Sequence, residues 1–228
     1  MDVNDIAQRF DSVRRRIEAA ARRAGRDPAS VRLVAASKTW TADAIRAAYR
    51  AGAREFGENY VQEALSKQSE LSDLRDITWH LIGHLQTNKA KTAARAFAMV
   101  HSLDSVRLAH ALHKARPDSR MAVLVEVNLG GEASKTGASP DALEPLLNAI
   151  RDQVDVHGLM AIPPPGSTPE DSRPYFAQLR NLRDRLAAAT GLALSELSMG
   201  MTDDFEIAIE EGATIVRVGR AIFGERTR

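Results

Sequence analysis

The chain has 228 residues, a formal net charge of +1 and no cysteine, and 44% of its residues are hydrophobic. This composition is ordinary for a globular protein; it excludes disulfides and thiolate chemistry, and it lacks the strongly basic character of a nucleic-acid binder. Because no apolar run reaches the ~20 residues of a membrane span and the charged N-terminus is no secretory signal, we expect a cytoplasmic protein that binds neither membranes nor nucleic acids.

The first 25 residues carry an amphipathic pattern. Their apolar side chains recur at steps of three and four residues, with arginines between them: Val3, Ile6, Phe10, Val13 and Ile17. This spacing predicts a helix over residues 1–25 that ends at Gly25. The segment also contains acidic residues, which a transit peptide lacks. We therefore expect this helix to pack on the rest of the domain.

From Val31 onward, short apolar runs alternate with helical patterns. The runs are VRLVAAS (31–37), REFGEN (54–59), ITWHLIG (77–83), FAMVHSL (97–103), MAVLVEVNL (121–129), VDVHGLMAI (154–162), LALSELSMG (192–200) and ATIVRVG (213–219). The helical patterns include residues 41–52, 88–97, 105–115, 140–152 and 173–191. Such alternation calls for parallel strands joined by crossovers, and eight strands close into a (β/α)8 barrel. We predict one domain over residues 1–228, with a TIM-type α/β barrel over residues 31–226.

Two features of the chain leave alternatives open. An open doubly wound sheet has the same alternation, but it would normally carry a glycine-rich turn after its first strand, and here that turn is SKTWTAD. The segment IPPPGSTPEDSRP follows the sixth run and is the longest irregular piece. It is either a stiff surface loop or a lid over a site.

Two turns near the C-terminus have the features of an anion site. In a TIM barrel, ligands bind at the carboxyl ends of the strands, and phosphates favour the loops after the seventh and eighth. The first turn, SMGMTDD, offers the hydroxyls of Ser198 and Thr202, and the second, VGRAIFG, places Gly219 and Arg220 at a helix start. Free N–H groups and the helix dipole favour a phosphate there. Either turn alone is equally an ordinary strand-to-helix connection, so the prediction depends on their combination.

Lys38 ends the first apolar run. In a closed barrel the first strand lies beside the eighth, which brings Lys38 next to the predicted phosphate site. An amine that is partly out of water and near cations has a lowered pKa and becomes nucleophilic. Such an amine beside a phosphate site suits a phosphorylated aldehyde that is held at both ends.

Arg217 is a charged residue within the otherwise apolar run TIVRVG. It precedes Gly219 by two residues and therefore lies on the same face of the strand. An unpaired charge there would be costly, so we expect a buried partner. That partner is either a structural carboxylate such as Glu126 or a heteroatom of a ligand.

Seven motifs in collinear order resemble the pyridoxal phosphate homeostasis family, whose members are similar to the barrel domain of alanine racemase. They are VAASKTW, FGENYVQEALSK, WHLIGHLQTNKAK, HSLDS, VNLGGEASKTG, HGLMAI and LSMGMTDDFEIAIEEGATIVRVGRAIFGER. The resemblance runs from about Val31 to Arg226. It implies that the cofactor pyridoxal 5′-phosphate (PLP) is covalently linked to Lys38 as an internal aldimine.

The resemblance also implies which residues hold the cofactor. The phosphate would be held by residues of the last two turns: Ser198, Thr202, Gly219 and Arg220. Arg217 would face the pyridine nitrogen, and Asn59 of FGEN would lie near the ring. His84 occupies a position in WHLIGHLQ that the resemblance does not fix, and it is assigned no role.

Two other patterns do not predict a site. The stretch GGEASKTG lacks the Walker pattern, which needs glycine where Ser134 stands. His80 and His84 are four residues apart, but in a strand and loop they would not share a helical face, and no carboxylate completes a metal triad. We therefore expect no metal.

Three functions from different classes remain. The first is a carrier without efficient turnover that stores, buffers or delivers PLP, with PLP-dependent apo-enzymes as partners. The second is a PLP enzyme such as an amino-acid racemase, and the third is a Schiff-base aldolase that attacks a sugar phosphate with Lys38.

The related racemases use a second domain, which we expect to be absent because the chain ends soon after its last predicted strand. An arginine at the pyridine nitrogen also weakens the ring as an electron sink. We favour the carrier, with no catalytic residue, and expect a monomer because no long apolar helix seam demands a partner.

Overall fold

Eight parallel strands close into a barrel in the order of the chain. The computed structural model describes residues 3–132 and 135–225. The strands are β1 Arg32–Ala36, β2 Glu55–Glu58, β3 Thr78–Leu81, β4 Met99–Leu103, β5 Ala122–Glu126, β6 Asp155–Met160, β7 Glu196–Ser198 and β8 Ile215–Val218. Closure is direct, because Arg32 pairs with Ile215 and Ala35 with Val218. The predicted TIM-type barrel is confirmed, and the open sheet is excluded.

Nine helices surround or cap the barrel within the described residues. They are α1 Val3–Arg23, α2 Ala42–Arg50, α3 Val61–Glu70, α4 Ala90–Ala96, α5 Val106–Ala115, α6 Leu143–Ile150, α7 Arg173–Thr190, α8 Phe205–Glu210 and α9 Arg220–Phe223. Local residues set their ends. The Thr41 hydroxyl accepts from the N–H of Ala44 at the start of α2, and Gly191 ends α7 at φ 72°. None of these helices is long and apolar enough to cross a membrane.

The two faces of each strand have different surroundings. Outward side chains pack against the helices in the main core, whereas inward side chains fill the barrel. The inward apolar residues form a small cluster of Val34, Met99, Leu124, Met160 and Ile215. Two residues further along β4 and β8, on the same inward faces, stand His101 and Arg217. The interior of this barrel is therefore partly polar.

Helix α1 packs against α2, α8 and α9. Its apolar stripe is buried at Ile6, Phe10, Val13 and Ile17, as the periodicity predicts, while the side chain of Val3 lies outside the described residues. Two arginines on its flank form ion pairs with α8, Arg16 with Glu206 at 3.3 Å and Arg23 with Glu210 at 3.2 Å. The predicted domain limits at residues 1 and 226 also lie outside the described residues.

The proline-rich segment after β6 runs as an irregular loop into a short 3-10 turn, Pro169–Ser172, before α7. The turn is fixed because the Ser172 hydroxyl donates to Asp204 Oδ2 at 2.9 Å. At the other end of the loop, Ile162 is 43% exposed and reaches the mouth of the barrel. The segment is thus anchored at its C-terminal end and borders the candidate site at its N-terminal end.

Candidate functional site

A cavity of ≈ 230 Å³ opens at the carboxyl ends of the strands. Its walls come from both ends of the chain because β1 and β8 are neighbours. The lining residues are Ala36, Lys38, Trp40, Asn59, Ile82, Ile162, Met201, Thr202, Asp203, Arg217, Gly219 and Arg220. Among the residues predicted from the sequence to form a site, Ser198 alone is missing from this lining.

Lys38 is half-buried and lies in the loop between β1 and α2. Its neighbour Thr39 has φ 68°, a left-handed conformation that is unusual for a β-branched residue. The backbone N–H of Thr39 donates to Glu63 Oε1 at 2.5 Å, and the N–H of Ser37 donates to the carbonyl of Gly57 at 2.9 Å. The residues on both sides of Lys38 are therefore held by β2 and α3.

A buried ion pair between α3 and β2 contacts this loop. Lys67 on α3 is 5% exposed and Glu58 on β2 is fully buried, with Nζ 2.7 Å from Oε1. The Ser37 hydroxyl donates to the same carboxylate oxygen at 2.6 Å. Burial raises the pKa of Glu58 above its ordinary value, although the bonds from Lys67 and Ser37 oppose the shift. Sequence reasoning missed Lys67, although its spacing of four residues from Glu63 on α3 indicates an ion pair on one helix face.

The predicted phosphate side is formed by the turns after β7 and β8. Thr202 Oγ1 accepts from the N–H of Ala221 at 3.4 Å, which ties the two turns together. A Cβ added at Gly219 would lie 3.1 Å from the carbonyl oxygen of Ala36, so β1 and this turn approach closely. Gly200 has φ 90°, and a Cβ there would lie 2.5 Å from that of Ala208. The turn after β7 thus needs glycine at position 200, whereas the turn after β8 leaves little room for a side chain at position 219.

Arg220 reaches the rim of the cavity and is about half exposed. Its guanidinium forms an ion pair with Asp203, which also lines the cavity, and lies 3.8 Å from Glu225. Two carboxylates therefore share this cation. An anionic ligand would have to compete with them for the guanidinium.

Arg217 is 4% exposed and lines the floor of the cavity. Nη1 donates to Ser198 Oγ at 2.7 Å and Nη2 donates to the carbonyl of Ala161 at 3.1 Å. Burial lowers the pKa of Arg217 to about 10, with Asp204 and Glu126 acting in the opposite direction, so the side chain stays charged at neutral pH.

Glu126 is not a bonded partner of Arg217. Its Oε1 instead accepts from the Thr136 hydroxyl at 2.8 Å. Of the two partners expected for Arg217, the structural carboxylate is thus replaced by a serine hydroxyl and a backbone carbonyl.

Ser198 lies apart from the other residues that were predicted to hold a phosphate, because it is absent from the cavity lining. Ser198 is fully buried as the last residue of β7, on the inward face of the strand. Its Oγ accepts from Arg217 and lies 2.9 Å from Nδ1 of His101. The cavity lining on this turn begins three residues later, at Met201. Ser198 therefore acts on the site through Arg217.

A second and more open groove of ≈ 1040 Å³ adjoins the ends of β3 to β5. It contains His84, whose Nδ1 lies 3.6 Å from Asp104 Oδ2, together with Arg107 and Lys135. Ser134 of GGEASKTG lies outside the described residues. Within the part of the chain that is described, no cluster of three or more His, Asp or Glu side chains could hold a metal ion.

Comparison of the sequence and the structure with known proteins identifies the family. The family model for the alanine racemase N-terminal domain matches residues 9–227. A protein of Aquifex aeolicus (strain VF5) named pyridoxal phosphate homeostasis protein is 48% identical, over 97% of this chain and 99% of its own length. A protein of the same name from Pseudomonas aeruginosa is 47% identical, over 98% of this chain and 97% of its own length. The structure of PipY from Synechococcus elongatus PCC7942 with PLP bound is 42% identical, covers 96% of this chain and 100% of that chain, and gives a TM-score of 0.85. The chain therefore belongs to the pyridoxal phosphate homeostasis protein family, within the alanine racemase N-terminal domain family.

Proposed function

We propose that this protein binds PLP in the cavity at the carboxyl ends of the strands, attached covalently to Lys38, and serves PLP homeostasis by storage, buffering or delivery without efficient turnover. The observation that carries the proposal is the composition of the cavity wall. One amine, two guanidinium groups and a hydroxyl converge there: Lys38, Arg217, Arg220 and Thr202. PipY, a relative at 42% identity, has been solved with PLP bound.

The wall fits PLP group by group. Thr202, the turn at Gly219 and Arg220 offer donors for a phosphate at one end of the cavity. The side chains of Ile82, Ile162 and Met201 offer apolar contact to a planar ring. Arg217 has five N–H donors, of which the two hydrogen bonds to Ser198 and Ala161 use two, so donors remain for an acceptor such as a ring nitrogen.

When bound, PLP supplies an electrophilic aldehyde and a ring that accepts electrons from attached groups. The protein contributes the Lys38 amine in a loop held on both sides, which keeps the nucleophile in place. Arg217 can only donate to the ring nitrogen, because a guanidinium has no acceptor and keeps its proton at neutral pH. The ring nitrogen then stays unprotonated, which weakens the electron sink that racemisation or transamination needs. This arrangement favours storage of the cofactor over catalysis of racemisation or transamination.

The two alternative functions, aldolase and racemase, are distinguished from a carrier by visible absorbance and by the rate of amino-acid turnover. An aldolase that uses Lys38 directly would need no PLP, and the purified protein would have no visible absorbance. A racemase would turn over amino acids at a rate near the ~10 s⁻¹ of a median enzyme.

The test is purification of the protein in excess PLP, removal of free cofactor and measurement of the absorption spectrum. We expect visible absorbance, reactivation of a PLP-dependent apo-enzyme by the loaded protein, and amino-acid turnover near background. A colourless protein, or turnover of several per second, would contradict the proposal.

A further inference from the structure

A chain of polar side chains crosses the inside of the barrel, starting at the floor of the cavity. Arg217 Nη1 donates to Ser198 Oγ at 2.7 Å, and Ser198 Oγ lies 2.9 Å from His101 Nδ1. His101 Nε2 lies 3.0 Å from His80 Nδ1. His80 Nε2 lies 3.1 Å from Glu55 Oε2, in a contact that is too bent to count as an aligned hydrogen bond. We name these five residues the interior column.

The interior column is buried where apolar side chains are the rule. Ser198 and His101 are fully buried, and His80 is 1% exposed. A TIM barrel interior is usually filled by layers of branched apolar residues, and buried polar groups are stable only when they are hydrogen-bonded. Of the column residues only Arg217 lines the cavity. The other members therefore act on a ligand only through Arg217.

The two ends of the interior column differ in hydrogen bonding, because one end can only donate and the other can only accept. Arg217 can only donate, so Ser198 Oγ accepts from it. At the other end, burial acts to raise the pKa of Glu55, but the contacts with His80 and Arg32 outweigh burial and lower it, so Glu55 is ionised and only accepts. A donor at one end and an acceptor at the other are compatible with hydrogen bonds that all run in one direction.

The histidines between these ends complete the same direction. Burial lowers the pKa of His101 well below its ordinary value, so its neutral ring donates through one nitrogen and accepts through the other. In the direction that runs from Arg217 to Glu55, Ser198 donates to His101 Nδ1 and His101 Nε2–H donates to His80 Nδ1. His80 Nε2–H then faces the carboxylate of Glu55.

We propose that the interior column positions Arg217 for recognition of the ligand, with His101 and His80 as positioning residues. By accepting a hydrogen bond from the Ser198 hydroxyl, His101 turns the Ser198 oxygen toward Arg217 as an acceptor. The guanidinium, held there and at Ala161, keeps its other N–H groups toward the cavity. This inference rests on the proposed function, because the acceptor that these groups would meet is the pyridine nitrogen of PLP.

The test compares PLP with its analogue in which a C–H group replaces the ring nitrogen. A hydrogen bond to a charged group contributes ~1.5–3 kcal/mol, so wild-type protein should bind PLP roughly tenfold or more tighter than the analogue. His101→Leu should bring this ratio close to one while affinity for the analogue changes little. Met99→Leu, a volume-conserving change on the same inward face of β4, should keep the wild-type ratio.

The outcomes separate this inference from the proposed function. A wild-type protein that binds neither ligand overturns both. Wild type that binds PLP without discrimination, or His101→Leu that discriminates as wild type does, overturns the column and leaves PLP binding intact. If His101→Leu weakens both ligands equally, the histidine is merely structural and the inference fails.

A second measurement needs neither a variant nor a ligand. Nitrogen-15 NMR of the ligand-free protein reports which ring nitrogen of each histidine carries the proton. We expect His101 to be neutral and protonated at Nε2. A proton on Nδ1 of His101 would reverse the direction of the column and overturn the inference even if His101→Leu does not fold.

Discussion

Lys67 Nζ donates to the backbone carbonyl of Ser37 at 2.7 Å, and this bond fixes the residue immediately before Lys38. The same ammonium group lies 2.7 Å from Glu58 and 2.7 Å from Glu63. Glu63 in turn accepts from the N–H of Thr39, the residue immediately after Lys38. One buried lysine thus organises the backbone that presents another.

Replacing Lys67 by methionine should destabilise the protein by about 3–5 kcal/mol, because Glu58 would be left buried without its cation. Urea unfolding of the ligand-free protein measures the change. Lys91→Met, at an exposed position, is the matched control and should stay within ~0.5 kcal/mol of wild type. The double variant Lys67→Met with Glu58→Leu should recover most of the loss. If Lys67→Met is as stable as wild type, the buried pair does not support the fold.

Replacing Lys38 by alanine should abolish covalent attachment of PLP, because no other amine lines the cavity among the described residues. Borohydride reduction of the loaded protein followed by peptide mapping locates the attachment. Lys91→Ala, at an exposed position, is the control: its reduced PLP label should be found at Lys38, as in the wild-type protein. Label recovered at a different lysine in the Lys38→Ala protein would refute the assignment.

Replacing Thr202 by alanine should weaken binding of PLP about tenfold and leave binding of unphosphorylated pyridoxal nearly unchanged, because a charge-assisted hydrogen bond contributes ~1.5–3 kcal/mol. Ser198→Ala gives a contrasting control. Its hydroxyl bonds Arg217 and does not line the cavity, so affinity for both ligands should fall by a similar factor. Titration monitored by absorbance or fluorescence gives both affinities. Equal losses for Thr202→Ala would show that the phosphate is held elsewhere.

The free energy of unfolding should fall as the pH decreases through about 6.5. His101 has a pKa well below its ordinary value of 6.5 in the folded protein, whereas in the unfolded chain it titrates near that value. Between these two pKa values the unfolded chain binds more protons, so acidification favours unfolding, by at most ~1.4 kcal/mol per pH unit for one group. Urea unfolding from pH 7.5 down to pH 5.5 tests this. His101→Gln should show a shallower decline, and parallel curves for the two proteins would contradict it.

The architecture was predictable from the sequence because it depends on local patterns. The apolar runs, their spacing and the residues at helix ends such as Thr41 and Gly191 are set by residues close together in the chain. Parallel strands of a barrel present their carboxyl ends at one face. For that reason the sequence alone predicts that Lys38 and Arg217, far apart in the chain, lie at the same site.

What the sequence could not decide is which polar side chains meet inside the barrel. Barrel closure brings Ser198 of β7 between Arg217 of β8 and His101 of β4, and none of these contacts has a local sequence pattern. The hydroxyl of Ser198 has the right chemistry for a phosphate, but it lies inside the barrel, bonded to Arg217 and 2.9 Å from His101. Its direction depends on where β7 stops and on the register with β8, where Ser198 pairs with Ile215. Residue types and periodicity determined the barrel and its open end, whereas the partners of each buried polar group were decided by packing across strands distant in sequence.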